Sequence, residues 1–119
     1  MRAVIQRVKR AAVDVAGETV GQIGPGLLCF LGICRSDTAE DAEYVARKVL
    51  NGRFFANAGE DRGFNRSVTN LDLEILVVSQ FTLVRVVASF PHRTRTVRST
   101  RRVCLVTVEP TDARLADTI

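Results

Sequence analysis

The sequence is poor in the residues from which metal and redox centres are built. It has one histidine, His92, and three cysteines, Cys29, Cys34 and Cys104, no two of them in C-x-x-C spacing. That argues against zinc-finger and thioredoxin-like patterns, and neither a metal nor a cofactor is expected. An odd set of cysteines is no disulfide framework, so three buried, reduced thiols in a reducing compartment are the expectation. Long apolar runs are missing too. The longest, Leu27–Leu31, is far too short to span a bilayer. The opening MRAVIQRVKR carries charge without the apolar stretch of a signal peptide. A cytoplasmic protein with no membrane partner is therefore expected. Internal repeats and low-complexity segments are absent, and no glycine follows Gly63.

The chain has 119 residues, enough for one domain over 1–119 and too few for two. With 46% hydrophobic and 25% charged residues it has the composition of an ordinary globular protein. A chain of this size buries roughly two thirds of its unfolded surface. The net charge of +4 is unevenly spread. Residues 1–83 hold ten Lys/Arg and ten Asp/Glu, whereas residues 84–119 hold seven arginines and three acids. A basic stretch of this kind can meet a polyanion through its phosphates, or simply solubilise a surface.

Met1–Val8 alternates weakly and suits a strand with one buried face. Ala11–Val15 and Glu18–Ile23 flank Ala16-Gly17, a two-residue connection that reads as a hairpin turn. Gly24-Pro25-Gly26 is a second turn, and Gly26–Ile33 is apolar on both faces, as a central covered strand would be. A helix is expected at about 37–50. Asp37 is its candidate cap with Glu40 as partner, and Ala42, Val45, Ala46, Val49 and Leu50 form its buried stripe. Arg53–Ala56 reads as a short strand, Asn57–Gly63 as a loop, Glu74–Leu83 as a buried strand, and Arg102–Val108 as another. Glu109–Asp112 reads as a turn or helix start. The class is α+β with a mostly antiparallel, barrel-like sheet.

The strand Glu74–Leu83 begins apolar and ends in Ser79, Gln80, Phe81 and Thr82. A buried hydroxyl or amide without a partner costs on the order of 1–3 kcal/mol, so these side chains either cap the strand or meet something at its end. His92, beside Pro91 in a basic run, reads as a solvated loop residue, and so do Glu60 and Asp61.

Five stretches together resemble the D-aminoacyl-tRNA deacylases: MRAVIQRV at Met1–Val8, G-x-I-G-x-G-L at Gly21–Leu27, Ala46-Arg47-Lys48 in the helix, Asn65-Arg66-Ser67-Val68, and the S-Q-F-T hallmark at Ser79–Thr82. The resemblance covers residues 1–83. It implies hydrolysis of the ester joining a D-amino acid, or mischarged glycine, to the 3′-terminal ribose of tRNA. It also implies aminoacyl-tRNA as partner, no DNA, and a homodimer with its site at the subunit interface. Carried over onto matching positions, Ser79, Gln80, Phe81 and Thr82 are the catalytic candidates, and Arg7 and Asn65 the substrate-binding ones. Backbone N–H groups near Phe81 and Thr82 are candidate oxyanion donors. Thr82 is given a positioning role and the tRNA's own 2′-hydroxyl the assisting one, because a side-chain nucleophile needs an adjacent base.

The resemblance stops after about Leu83. The family's glycine–cis-proline pair cannot exist where no glycine follows Gly63; Pro91 follows Phe90 and Pro110 follows Glu109. A frameshifted or alternatively ended reading frame accounts for this divergent third. So does divergence, with the basic tail adopting an RNA-binding role. The alternative function is that of a catalytically inactive, truncated or frameshifted member of the family that at most binds tRNA.

Overall fold

The computed structural model describes residues 1–80 in full and the backbone of three later strands, at 96–99, 103–107 and 113–116. In chain order the elements are β1 (Arg2–Val8), β2 (Ala11–Val15), β3 (Glu18–Ile23), β4 (Gly26–Gly32), α1 (Ala39–Asn51), β5 (Glu74–Ser79), β6 (Thr96–Ser99), β7 (Val103–Thr107) and β8 (Ala113–Ala116). They form a five-stranded sheet, ordered β1-β4-β5-β7-β6, and a three-stranded sheet, ordered β3-β2-β8. The α+β class holds, but the barrel does not: these are two open sheets. Nor is the larger sheet antiparallel throughout, since β4–β5 and β5–β7 run parallel. The reason lies in the connection. The chain leaves β4, crosses through α1 and a long loop, and re-enters beside β4 in the same direction, as parallel strands require.

β4 is the central covered strand that its apolar run foretells. Leu27 and Leu28 are fully buried and Cys29 nearly so, because successive side chains enter cores on opposite faces. On one face Leu28, Leu76 and Val78 meet Val8, Ala11, Val13 and Ile23, closing the two sheets on each other. On the other, Leu27, Cys29 and Ile75 meet Val49 and Val68, bringing α1 and the loop after it against the sheet. Each fully buried leucine contributes roughly 1.5–3 kcal/mol. β1 does not bury a single face as expected. Ala3 and Ile5 face the α1 side, Val8 faces the other, and Val4 stays 44% exposed on this outermost strand.

The hairpin β2–β3 turns on Ala16 and Gly17, both at positive φ (51° and 82°), the geometry a two-residue turn between twisted strands demands. At the Gly24-Pro25-Gly26 turn the Glu74 carboxylate accepts the Gly24 N–H at 2.7 Å. A Cβ at Gly26 would overlap the Glu74 backbone carbonyl, so glycine is what lets β4 start beside β5.

The helix starts later than expected. Thr38 is its N-cap, and the Asp41 carboxylate accepts both the Thr38 N–H (2.9 Å) and hydroxyl (3.3 Å). Asp37, expected as the cap, accepts instead from the Met1 α-amino group (2.8 Å) and the Cys34 N–H (2.6 Å). The expected stripe is also narrower: Val49 is buried and Val45 half-buried, while Ala42, Ala46 and Leu50 remain exposed, the alanines being too short to reach the sheet. Arg53–Ala56 is no strand but the site of one bridge, Phe55 to Arg66. Glu109–Asp112, expected as a turn or helix start, lies outside the described residues, whereas β7 matches the strand expected at Arg102–Val108; β6 and β8 were not foreseen.

Gly26→Ala should lose about 3 kcal/mol or more in urea unfolding. Gly17→Ala, which meets nothing within 4 Å but keeps a positive φ, should lose only about 1 kcal/mol. The reverse ranking would refute the steric role of Gly26. The hydrogen bond from the Met1 ammonium, and then that from the Cys34 N–H, hold the Asp37 carboxyl below its ordinary range. A depressed folded-state pKa stabilises the fold above the ordinary carboxylate range and is lost as pH falls through it. Acid unfolding of Asp37→Asn should therefore depend less steeply on pH than that of the parent.

Candidate active site

β5 is held on both edges, by β4 and β7, so its apolar residues are covered and its polar end is presented where the paired strands stop. Ser79 stands opposite Leu31, and the Gln80 backbone N–H donates to the Leu31 carbonyl at 2.8 Å, extending the pairing by one residue. Both residues are half-buried. Ser79 shares the α1-facing side of the sheet with Ile75 and Val77. Because β4 and β5 are parallel, their carboxyl ends come together here, the edge at which open sheets most often receive ligands. Phe81 and Thr82, the next two candidates, lie outside the described residues, as does His92.

Arg7 lies toward the other end of the sheet, against Phe64, the residue before Asn65. Arg7 is opposite Leu27, which is opposite Ile75, four residues along β5 from Ser79. At about 3.3 Å per residue that is roughly 13 Å of strand. The exposed Arg7 guanidinium lies 5.6 Å from the ring centre of Phe64. Asn65, next to Phe64, donates from its side-chain amide to Glu60 at 3.2 Å, and its backbone N–H to the Phe55 carbonyl at 2.8 Å. Thus the described candidates form two groups rather than one. Phe64 itself was missed; the available signal was an aromatic ring in a polar loop between Arg62 and Arg66.

The Asn65–Val68 stretch divides its labour. Val68 is buried in the core beneath α1. Ser67 is buried and exchanges hydrogen bonds with Asn70, N–H to side chain in each direction at 3.1 Å. Thr69 adds a bond from its hydroxyl to the Leu50 carbonyl, fastening the loop to the helix end at 2.8 Å.

Between α1 and the sheet lies a cleft of about 200 Å³, lined by apolar side chains that include Leu31, Val45, Val49 and Val77. Such a lining offers no donor for an oxyanion. Among the described residues no three His, Cys, Asp or Glu side chains group as metal ligands, and no helix is long and apolar enough to cross a membrane.

A model of the family described as D-Tyr-tRNA(Tyr) deacylase matches residues 4–96. The chain belongs to this family. A D-aminoacyl-tRNA deacylase from Dehalococcoides mccartyi is 57% identical over 84 residues, 71% of this chain and 54% of the relative. Proteins with the same name from Dictyostelium discoideum and Drosophila melanogaster are 53% and 55% identical over 83 residues, 70% of this chain and 55% and 51% of theirs. The chain thus spans about half the length of the curated relatives it matches. Among solved structures, one titled "c-Myc DNA Unwinding Element Binding Protein" is similar at a TM-score of 0.67 and 43% identity, over 76% of this chain and 60% of that one. A probable eukaryotic D-amino acid tRNA deacylase shares the fold at a TM-score of 0.56 and 16% identity, over 73% of this chain and 52% of its own.

The thiols of this deacylase-family chain differ from the expectation of three buried ones. Cys29 is buried, and its burial pushes the thiol up to about 11. Cys34 is half-buried, with its sulfur 3.4 Å from the Ser36 hydroxyl, whose hydrogen bond holds the thiol below its ordinary value. The side chain of Cys104 lies outside the described residues. Nucleophilic attack needs thiolate and access. Iodoacetamide at neutral pH should therefore label Cys34 in the native protein and Cys29 only after unfolding, as read by peptide mass spectrometry.

Proposed function

We propose that this chain hydrolyses the ester of D-aminoacyl-tRNA, and of mischarged glycyl-tRNA, as a proofreading step. The observation that carries the reading is the unbroken Ser79-Gln80-Phe81-Thr82 run at the end of a strand paired in parallel on both edges. It lies in the stretch that is 57% identical to a D-aminoacyl-tRNA deacylase. In this reading water adds to the ester carbonyl and the bond to the ribose 3′-oxygen breaks. Of the two protons of the water, the 3′-oxygen takes one and solvent the other, so the amino acid leaves as its carboxylate.

An activated ester requires a held carbonyl, donors for the developing oxyanion and a nucleophile. The sheet narrows the choice of donors. The Gln80 backbone N–H is committed to the Leu31 carbonyl, so the oxyanion donors in this proposal are backbone N–H groups beyond it, near Phe81 and Thr82. Ser79 and the Gln80 side chain hold the terminal ribose. Thr82 positions groups, and the tRNA's 2′-hydroxyl assists, since the one histidine is ten residues further on and a hydroxyl nucleophile needs a base beside it. Arg7 and Asn65 contact the RNA. The enzyme acts in the cytoplasm as a homodimer, as the family resemblance implies.

Purified chain mixed with D-tyrosyl-tRNA should release tyrosine faster than buffer does. Gln80→Ala should slow that release by about tenfold or more while leaving the thermal midpoint within a few degrees. No release above buffer at stoichiometric protein removes the proposal; salt-sensitive tRNA binding without turnover would instead support the inactive, RNA-binding member.

A further inference from the structure

The loop at 57–66 carries a large aromatic surface that the fold holds in place and does not cover. Phe64 is 71% exposed, the most exposed large apolar side chain among the described residues. Loop tips that carry such side chains usually gain freedom, but this one is tied down. The Phe55 N–H donates to the Arg66 carbonyl at 3.0 Å, and the N–H groups of Asn65 and Arg66 both donate to the Phe55 carbonyl at 2.8 Å. The Arg66 Nε donates to the Asn57 side chain at 3.2 Å, the Glu60 N–H to the Asn57 carbonyl at 3.1 Å, and the Asn65 amide to Glu60 at 3.2 Å. Phe55, at the base, packs into the core beneath α1. The loop that carries the ring is thus tied down, and the Arg7 guanidinium of β1 lies over the ring, 5.6 Å from its centre.

A fixed, exposed ring with a guanidinium beside it, on a surface that also presents Arg62 and Arg66, is what proteins use to stack unpaired bases and meet the phosphates on either side. Glu60 and Asp61 lie in the same loop. Arg7, Arg62 and Arg66 are exposed and in no ion pair among the described residues, so the loop and the Arg7 beside it carry three cations against these two acids. We propose that Phe64 and Arg7 form a stacking platform for an unpaired nucleobase of the tRNA 3′ end, with Arg62 and Arg66 on the neighbouring phosphates. The inference rests on the deacylase reading. Most tRNA bases are paired or stacked within the molecule, whereas those beside the acylated terminus offer free faces. Ser79 lies roughly 13 Å along the strand direction from the level of Arg7 and two strand spacings of about 4.8 Å across, within reach of a few nucleotides.

The test measures binding of the whole chain to deacylated tRNA, intact or shortened by its last three nucleotides, together with hydrolysis of D-tyrosyl-tRNA. Phe64→Ala should weaken binding of intact tRNA by about tenfold or more. It should leave binding of the shortened tRNA unchanged, and Phe64→Trp should restore the affinity. In hydrolysis, Phe64→Ala should raise KM with kcat nearly unchanged. An equal loss on both tRNAs, no loss on either, or a lowered thermal midpoint or changed sedimentation of the free protein would overturn the platform. If the parent hydrolyses D-tyrosyl-tRNA and Phe64→Ala does so with the same KM, this inference alone fails. If the parent neither binds nor hydrolyses, the deacylase reading fails, and the platform with it.

Discussion

The close approach of β4 to β5 is the constraint from which the rest of the molecule follows. It begins where Gly26 lies against the Glu74 backbone with no room for a side chain. From there five further register pairs align Leu27–Leu31 with Ile75–Ser79. Because both strands are apolar on both faces, their pairing creates two cores at once, one toward the smaller sheet and one toward α1. The position of Ser79 and Gln80 is an outcome of that register. A slip of one residue would turn Ser79 to the other face and send Leu76 toward the helix.

Much of the scaffold could be read from residue pattern because local chemistry decides it. Ala16-Gly17 has a single workable geometry between two short valine-rich strands, and GLLCFLG has no polar side to leave in water. The helix was legible in its existence and not in its ends. Asp37, Thr38 and Asp41 are all competent caps, and only the proximity of the Met1 ammonium and the Cys34 N–H draws Asp37 away from the helix. The parallel pairing was not legible, since a strand carries no local mark of its partner's direction. A barrel was the wrong extrapolation from several short strands.

The candidate site was legible by resemblance more than by spacing. Ser79 and Gln80 stood out as polar groups ending an apolar strand, but nothing in their order reveals that the Gln80 N–H belongs to the sheet. Arg7 and Asn65 are 58 positions apart in sequence, and nothing in either stretch reveals that Arg7 lies against the ring next to Asn65. Phe64 was hidden by the rule that apolar residues seek the interior; it shows only when the loop's own hydrogen bonds are seen to hold it outward.

The crossover from β4 to β5 bears on how the molecule assembles. The β2–β3 hairpin closes across two residues, whereas β5 reaches β4 only after some forty residues have been gathered in. Closing the longer loop costs more chain entropy before any contact rewards it, so local pairs form early and such distant ones late. A nascent chain would then carry Leu76 and Val78 uncovered for a time, and amides of β2 and β3 would acquire exchange protection before those of β5. The edge that carries Ser79 and Gln80 therefore exists only once the crossover has been gathered in, well after the β2–β3 hairpin has closed.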